Sequence, residues 1–276
     1  MPNTIIIGSG SYLPSKIIGR EYFKDSVFYT DEGEKIDKPN EEVIQKFVEI
    51  TEIENRRYLE DDEFNSDLGF RAAEEAIIDA KINREDLEYI IYASNFGEVN
   101  KDGMTNFMPS MSARVKNKLG IKNRKCVNYD MIFGCPGWVE AMILADTLIK
   151  AKKAKLILVV GSETLSRVTD PFDRNRMIFA DGAGAVVVKA TDDETVGIIA
   201  DSTICDNDTE LNFLENSPSL KKDEDRTKLY IRMHGRKIYE YALKNVPDAI
   251  KENVAVQDNW KVKDFKKLFW NPLEEL

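Results

Sequence analysis

Histidine is nearly missing from this chain: His234 is the only one in 276 residues. A site that needs several imidazoles has no material within these residues. Cysteine is scarce too. Cys126, Cys135 and Cys205 are scattered, odd in number and form no CxxC. That suits a reducing cytosol and argues against a disulfide framework or a cysteine zinc site. No apolar run approaches the roughly 18–20 residues that cross a bilayer, so no membrane contact is expected. The first residues carry no basic stretch followed by an apolar one, so no secretory signal is expected and the expected location is cytoplasmic. No Gly-Lys-Ser/Thr closes a glycine-rich loop, which argues against P-loop nucleotide hydrolysis.

What is present is the material of a soluble globular protein, with 42% apolar and 32% charged residues. The length allows one large domain or two small ones. Lys and Arg number 39 against 49 Asp and Glu, a net charge of −10. That balance argues against nucleic acid as a partner and leaves local basic patches open.

Residues 4–7 read as a short strand running into Gly8-Ser9-Gly10-Ser11-Tyr12-Leu13-Pro14. A third glycine is lacking and Pro14 blocks a helix start, so this reads as a structural turn and not a dinucleotide site. Residues 25–40 are polar and read as a surface excursion. Helices are expected over 41–48, over 67–81 with Ser66 as cap, over 110–119 with Gly120 as stop, and over 236–253 with a kink at Pro247. Residues 87–93 and 156–160 are apolar nearly throughout, as strands covered on both faces are. Gly161-Ser162-Glu163-Thr164 is expected to end the second of them. Further strands are expected before residue 188 and over 197–203. The loop 94–109 carries Phe96, Met104, Phe107 and Met108, which pack beneath it or line a pocket. Arg167, Asp170, Asp173, Arg174 and Arg176 read as a loop fixed by ion pairs. Asp206-Asn207-Asp208 lacks the glycine of a calcium loop, and no metal site is expected. Strands alternating with helices give the α/β class with a mainly parallel sheet.

The chain is organised around Val127-Asn128-Tyr129-Asp130-Met131-Ile132-Phe133-Gly134-Cys135-Pro136-Gly137-Trp138. This reads as a strand, a tight turn and an apolar helix to about residue 150. Cys135 is the reactive side chain on the turn. At a helix N-terminus, unpaired N–H groups and the dipole favour a thiolate. Pro136 suits the first helical turn, and Gly134 and Gly137 let backbone approach a ligand. Spacing alone leaves two readings open, a nucleophile and a buried structural cysteine.

Several stretches together resemble the beta-ketoacyl-[acyl-carrier-protein] synthase III family, which has the thiolase fold. Gly8 to Pro14 is similar to its G-x-G-x-Y-x-P opening. Thr51-Glu52-Ile53-Glu54-Asn55-Arg56-Arg57 resembles T-G-I-x-x-R. Asp130, followed five residues later by Cys135-Pro136-Gly137-Trp138, resembles the nucleophile turn. Val160-Gly161-Ser162-Glu163, Asp170-Pro171-Phe172-Asp173-Arg174 and Phe179-Ala180-Asp181-Gly182-Ala183-Gly184-Ala185 match the downstream strand end, D-x-x-D-R loop and F-G-D-G-A-G-A segment. Met233-His234-Gly235 resembles M-x-G.

The resemblance implies a thiolase-like layered αβαβα fold. Its N-terminal half would span 1–195 and carry the nucleophile, and 196–276 would begin an incomplete C-terminal half. It implies a condensing acyltransferase of fatty acid biosynthesis. Cys135 takes an acyl group from acyl-CoA, a substrate and not a cofactor, and malonyl-acyl carrier protein then decarboxylates and condenses with it. Arg174 and Arg56 are the implied CoA contacts, while Lys46 and Glu54 stand where many members have Trp and Arg. Arg236, Lys237 and Lys244, with Arg232, are the expected carrier-protein docking patch. A homodimer through the N-terminal half is implied. The family's His and Asn segments are not matched; Trp270-Asn271-Pro272-Leu273 stands where H-Q-A-N is expected. His234 lies at a position the family does not use, so the second step is expected to be impaired and the second sheet short. The alternative is a non-catalytic thiolase-fold binding partner of a carrier protein or sister subunit.

Overall fold

The computed structural model describes residues 1–255. Trp270-Asn271-Pro272-Leu273, which stands where H-Q-A-N is expected, lies outside the described residues. In chain order the elements are β1 (Asn3–Tyr12), β2 (Lys16–Ile18), α1 (Asn40–Thr51), β3 (Arg56–Tyr58), α2 (Asn65–Ala80), β4 (Tyr89–Ala93), β5 (Glu98–Val99) and β6 (Thr105–Asn106). There follow α3 (Met111–Lys118), β7 (Val127–Met131), α4 (Gly137–Lys150), β8 (Leu156–Thr164), β9 (Asp181–Thr191), β10 (Leu214–Pro218), β11 (Leu229–Met233) and α5 (Gly235–Ala255).

Five strands form the central sheet in the order β1-β9-β8-β4-β7. It is mixed, not mainly parallel. β4 is parallel to β7 and β8, whereas β9 runs antiparallel to β8 and β1. Helices α3 and α4 supply the crossovers that parallel pairing requires. No α-helix joins β8 to β9, so the chain returns antiparallel. Along β8 the side chains alternate between two cores. Leu158 and Val160 face α2 and α3, and Ile157 and Val159 face α4. Both faces are covered, as the apolar run at 156–160 requires.

The segment Gly8 to Tyr12 is not a turn: β1 runs straight through it. A Cβ on Gly8 would lie 2.4 Å from the Ala80 nitrogen, and one on Gly10 would lie 2.3 Å from the Ala72 carbonyl oxygen. The glycines let α2 settle onto the strand. Nor does Gly161 to Thr164 end β8; antiparallel pairing with β9 carries the strand to a Thr164–Asp181 pair. Residues 197–203 form no strand, and the Ile198 N–H donates once, to the Thr4 carbonyl at 3.0 Å. The excursion at 25–40 is anchored. Phe28 is buried with Phe23, Ile44, Tyr58 and Met177, and Tyr29 packs edge-on against Phe172.

Ser66 does not cap α2. Its N–H and hydroxyl both donate to Glu98, and Asp67 accepts from the Phe64 N–H. Ser110 does cap α3, accepting from the Ala113 N–H, and Gly120 follows at φ +69°. Pro247 sits inside α5 without interrupting it.

Candidate active site

The C-terminal ends of β7 and β4 lie side by side at Met131 and Ala93, and Ala93 is in register with Gly161 of β8. Cys135 and Asn95 stand beyond those two ends, and Glu163 lies two residues past Gly161, still within β8. The Ser94 N–H donates to the Met131 carbonyl and ties two of the strand ends together. The turn closes when the Gly137 N–H donates to the Gly134 carbonyl at 2.8 Å, and Pro136 leads into α4. A Cβ on Gly137 would meet Phe133 and Ala93, so this glycine serves inward packing and not approach of a ligand. Gly161 fits beneath Trp138 on the first turn of α4 in the same way.

Cys135 is exposed as a residue. Protein nevertheless crowds its thiol, and this desolvation raises the thiol pKa above the ordinary value. Its own backbone N–H opposes that shift, and the Glu163 charge adds to it. The helix start therefore does not deliver the low-pKa thiol expected from the turn alone: burial outweighs the N–H groups. Glu163 is perturbed further. Burial pushes its carboxyl up to about 7 against the Asn95 donors that favour the charge. Oε1 accepts from the Asn95 N–H at 2.5 Å and from Asn95 Nδ2 at 2.7 Å. Oε2 is buried and has no hydrogen-bond partner among the described residues; the Ser94 hydroxyl is near enough to favour the charge but makes no such bond.

Three polar anchors hold this region, and only two lie in motifs the sequence singles out. Asp130 accepts from the N–H groups of Met111 and Ser112 at 2.6 and 2.8 Å, fixing the start of α3 to β7. Asp181 is buried and accepts from the N–H groups of Leu59 and Ser166, both at 2.9 Å. Asn65 is the third and lies in none of those motifs. Fully buried, it donates to the Gly97 carbonyl, accepts from the Ser162 hydroxyl at 2.6 Å and meets the Tyr92 hydroxyl. Nothing in its sequence neighbourhood marks it.

The expected contact residues are scattered. Arg174 is exposed on a 3-10 turn capped by Asp173, whose side chain accepts from the Asn175 N–H. Arg56 is buried instead. Its guanidinium donates to the carbonyls of Ile18 and Ile53 and lies over the Phe23 ring at 5.0 Å. In that place it supports the β2–β3 pair and offers no face to CoA. The ion pairs expected among Arg167, Asp170, Asp173, Arg174 and Arg176 do not form among the described residues. Asp170 accepts from the Ser219 hydroxyl and the Leu220 N–H, while Arg167 donates to the carbonyls of Val99 and Glu60. On α5, Arg236 pairs with Glu240 at 2.8 Å, Lys237 lies over the Phe213 ring, and Lys244 is exposed. His234 donates its N–H to the Phe213 carbonyl.

A cavity of about 180 Å³ beside the strand ends is lined by Tyr92, Ser94, Phe107, Met111, Met131 and Ile132, among others. A larger cleft of about 920 Å³ between α2, the β5–β6 hairpin and α3 contains no residue of the Cys135 turn. Among the described residues no cluster of three or more His, Cys, Asp or Glu could hold a metal ion, and no helix is long and apolar enough to cross a membrane.

A cysteine on a strand-turn-helix, at the joined ends of a mixed five-stranded sheet packed between helices, defines a protein of the thiolase fold. Comparison with known proteins narrows this. Residues 129–207 match the family model for 3-Oxoacyl-[acyl-carrier-protein (ACP)] synthase III. The chain is 35% identical over 251 residues to beta-ketoacyl-[acyl-carrier-protein] synthase III 1 of Vibrio vulnificus, covering 90% of this chain and 71% of that protein. It is 32% identical over 268 residues to the synthase III of Clostridium perfringens, covering 94% and 75%. The crystal structure of 3-oxoacyl-[acyl-carrier-protein] synthase III from Aquifex aeolicus superposes with a TM-score of 0.72 at 29% identity, covering 91% of this chain and 71% of that one. The Pseudomonas aeruginosa synthase III structure gives 0.75 at 25% identity, covering 95% and 73%. The chain belongs to the beta-ketoacyl-[acyl-carrier-protein] synthase III family.

Proposed function

We propose that this protein is a condensing acyltransferase of fatty acid biosynthesis, with Cys135 as its acyl acceptor. The observation that carries this is the placement of Cys135 on the turn that joins β7 to α4 beside the end of β4, where its own backbone N–H favours the charged sulfur. In the first half-reaction the Cys135 thiolate attacks the thioester carbon of acyl-CoA. Backbone N–H groups of the turn stabilise the oxyanion, CoA leaves as its thiol, and an acyl-cysteine remains. In the second, malonyl-acyl carrier protein loses carbon dioxide. The resulting carbanion attacks the acyl-cysteine, forms the new carbon–carbon bond and releases the Cys135 thiolate. Neither step calls for a cofactor.

Arg174, exposed and free of an ion pair among the described residues, is the cation we assign to a CoA phosphate. The cavity of about 180 Å³ beside the turn is the place for a short acyl tail. Arg236, Lys237 and Lys244 face the acidic carrier protein, with Arg236 held back in part by Glu240. β7 is an edge strand that exposes Val127 at 39%, Tyr129 at 44% and, just beyond it, Ile132 at 67%. An edge of that kind is normally covered, which supports a homodimer paired there. Dependence on acyl-CoA and carrier protein supports a cytoplasmic location.

The test is release of free CoA thiol from acyl-CoA in a single turnover of the purified protein, beside the Cys135→Ser variant. Release by the wild type and none by the variant is the expected result. Equal release by both would overturn the assignment of Cys135. A pure binding partner would instead release none while retaining carrier binding in both forms.

A further inference from the structure

The reading of Cys135 as acyl acceptor leaves Glu163 unused. It is a carboxyl whose Oε1 accepts two hydrogen bonds from Asn95 and whose Oε2 is buried without a partner among the described residues; it sits on β8, and Asn95, which holds it, follows the end of β4 beside the β7 end that leads to the thiol. A lone buried oxygen is costly as half of a carboxylate and much less so as the protonated half of a carboxylic acid. Two negative charges in one poorly solvated site disfavour each other.

We propose that Glu163 is a positioning residue for Cys135: the two share room for a single negative charge, so Cys135 ionises readily only while Glu163 carries a proton on Oε2. This deepens the proposed function and rests on it. The groups facing the pair agree. From the end of β4 come Asn95 and Ser94, which favour the carboxylate. From β9 comes Asp181, a further carboxylate that disfavours it. The Tyr92 hydroxyl, on β4, also senses the Glu163 charge, together with Glu98 and Asp130. Arg167 spends its charge near Asp181 and donates to the carbonyls of Val99 and Glu60. Asn95 therefore adjusts how easily Glu163 gives up its proton, and Glu163 adjusts the thiol.

The chemistry balances without another reactant. Starting from the thiolate and the protonated carboxyl, the Cys135 sulfur forms a bond to the acyl carbon and the bond to the CoA sulfur breaks. The negative charge leaves on CoA. The acyl-cysteine is neutral, so Glu163 is free to ionise and lose its proton to solvent, and the departing CoA thiolate takes up a proton from solvent.

The experiment measures carbamidomethylation of Cys135 by iodoacetamide in the full chain, peptide by peptide, with exposed Cys205 as an internal reference. For an isolated thiol the rate climbs about tenfold per pH unit below its pKa. The wild type is expected to climb more shallowly near the Glu163 transition, about pH 7. Glu163→Gln should lose the shallow stretch and react several-fold faster than wild type above it, with no gain below it. Asn95→Ala, which removes one donor to the carboxylate, should move the shallow stretch to higher pH. A wild-type profile without a shallow stretch, or a folded Glu163→Gln variant that coincides with wild type at every pH, overturns the proposal. Alkylation reads the pair whether or not Cys135 accepts an acyl group. Exposure to acyl-CoA decides that separately, so each idea can fail alone.

Discussion

Replacing Asp181 with Ala removes the acceptor that joins three parts of the chain. The carboxylate takes N–H bonds from Leu59, just past β3, and Ser166, just past β8, and a hydroxyl bond from Ser166 at 2.6 Å. Asp181 itself opens β9 and is 3% exposed. An unsatisfied buried N–H costs about 1–3 kcal/mol, so two give about 2–6 kcal/mol. The Ser166 hydroxyl can rotate and adds little. Loss of a carboxylate whose own burial is unfavourable, as its raised pKa shows, offsets part of the cost. The net expectation is a destabilisation of about 2–4 kcal/mol. Asn keeps one carbonyl oxygen in place and should cost about half as much. Urea unfolding followed by circular dichroism measures all three proteins, and the midpoint shift gives the difference at constant slope. An Ala variant within about 0.5 kcal/mol of wild type would refute the reasoning. An Asn variant as unstable as Ala would show that charge, acting with Arg167, matters more than the hydrogen bonds.

Other consequences can be checked on the same preparations. Gly10→Ala should cost about 3 kcal/mol or more, because its Cβ would lie 2.3 Å from backbone of α2, whereas Gly184→Ala meets nothing within 4 Å among the described residues and should be nearly neutral in thermal melting. Arg174→Ala should raise KM for acyl-CoA with little change in kcat, while Arg56→Ala should lower the melting temperature, its guanidinium being buried over Phe23. Glu163 binds its proton more tightly in the folded state, at about 7 against an ordinary 4.5. Its stabilising share is therefore present below pH 4.5 and lost as pH rises through about 7. Relative to Glu163→Gln, the wild type should lose about 3 kcal/mol across that window, read from unfolding curves at several pH values.

The elements that the sequence discloses are those whose local pattern and tertiary setting agree. The fully apolar β4 and β8 are covered on both faces, Ser110 and Gly120 bracket α3, and the strand-turn-helix around Cys135 folds as its order suggests. Failures fall where a distant partner decides. Gly8 and Gly10 look like a turn because the helix that needs them is sixty residues or more away in the chain, at Ala72 and Ala80. The mixed sheet follows from the missing crossover between β8 and β9, which periodicity cannot report. The charged loop at 167–176 looks ion-paired, yet backbone carbonyls and N–H groups from Val99, Glu60 and Leu220 take its charges. Asn65 and Glu163 acquire meaning only when Ser94, Asn95 and Ser162 are brought beside them. For the thiol, the helix start was visible and the crowding that outweighs it was not.

The central claim is that Cys135 carries the acyl group. Incubation of the purified chain with acyl-CoA, followed by proteolysis and tandem mass spectrometry, tests it directly. The account predicts a thioester-linked acyl mass on the peptide containing Cys135, none on Cys126 or Cys205, and loss of the adduct in Cys135→Ser. A folded protein that shows no acyl mass on Cys135, or an adduct that persists in the Ser variant, would contradict it.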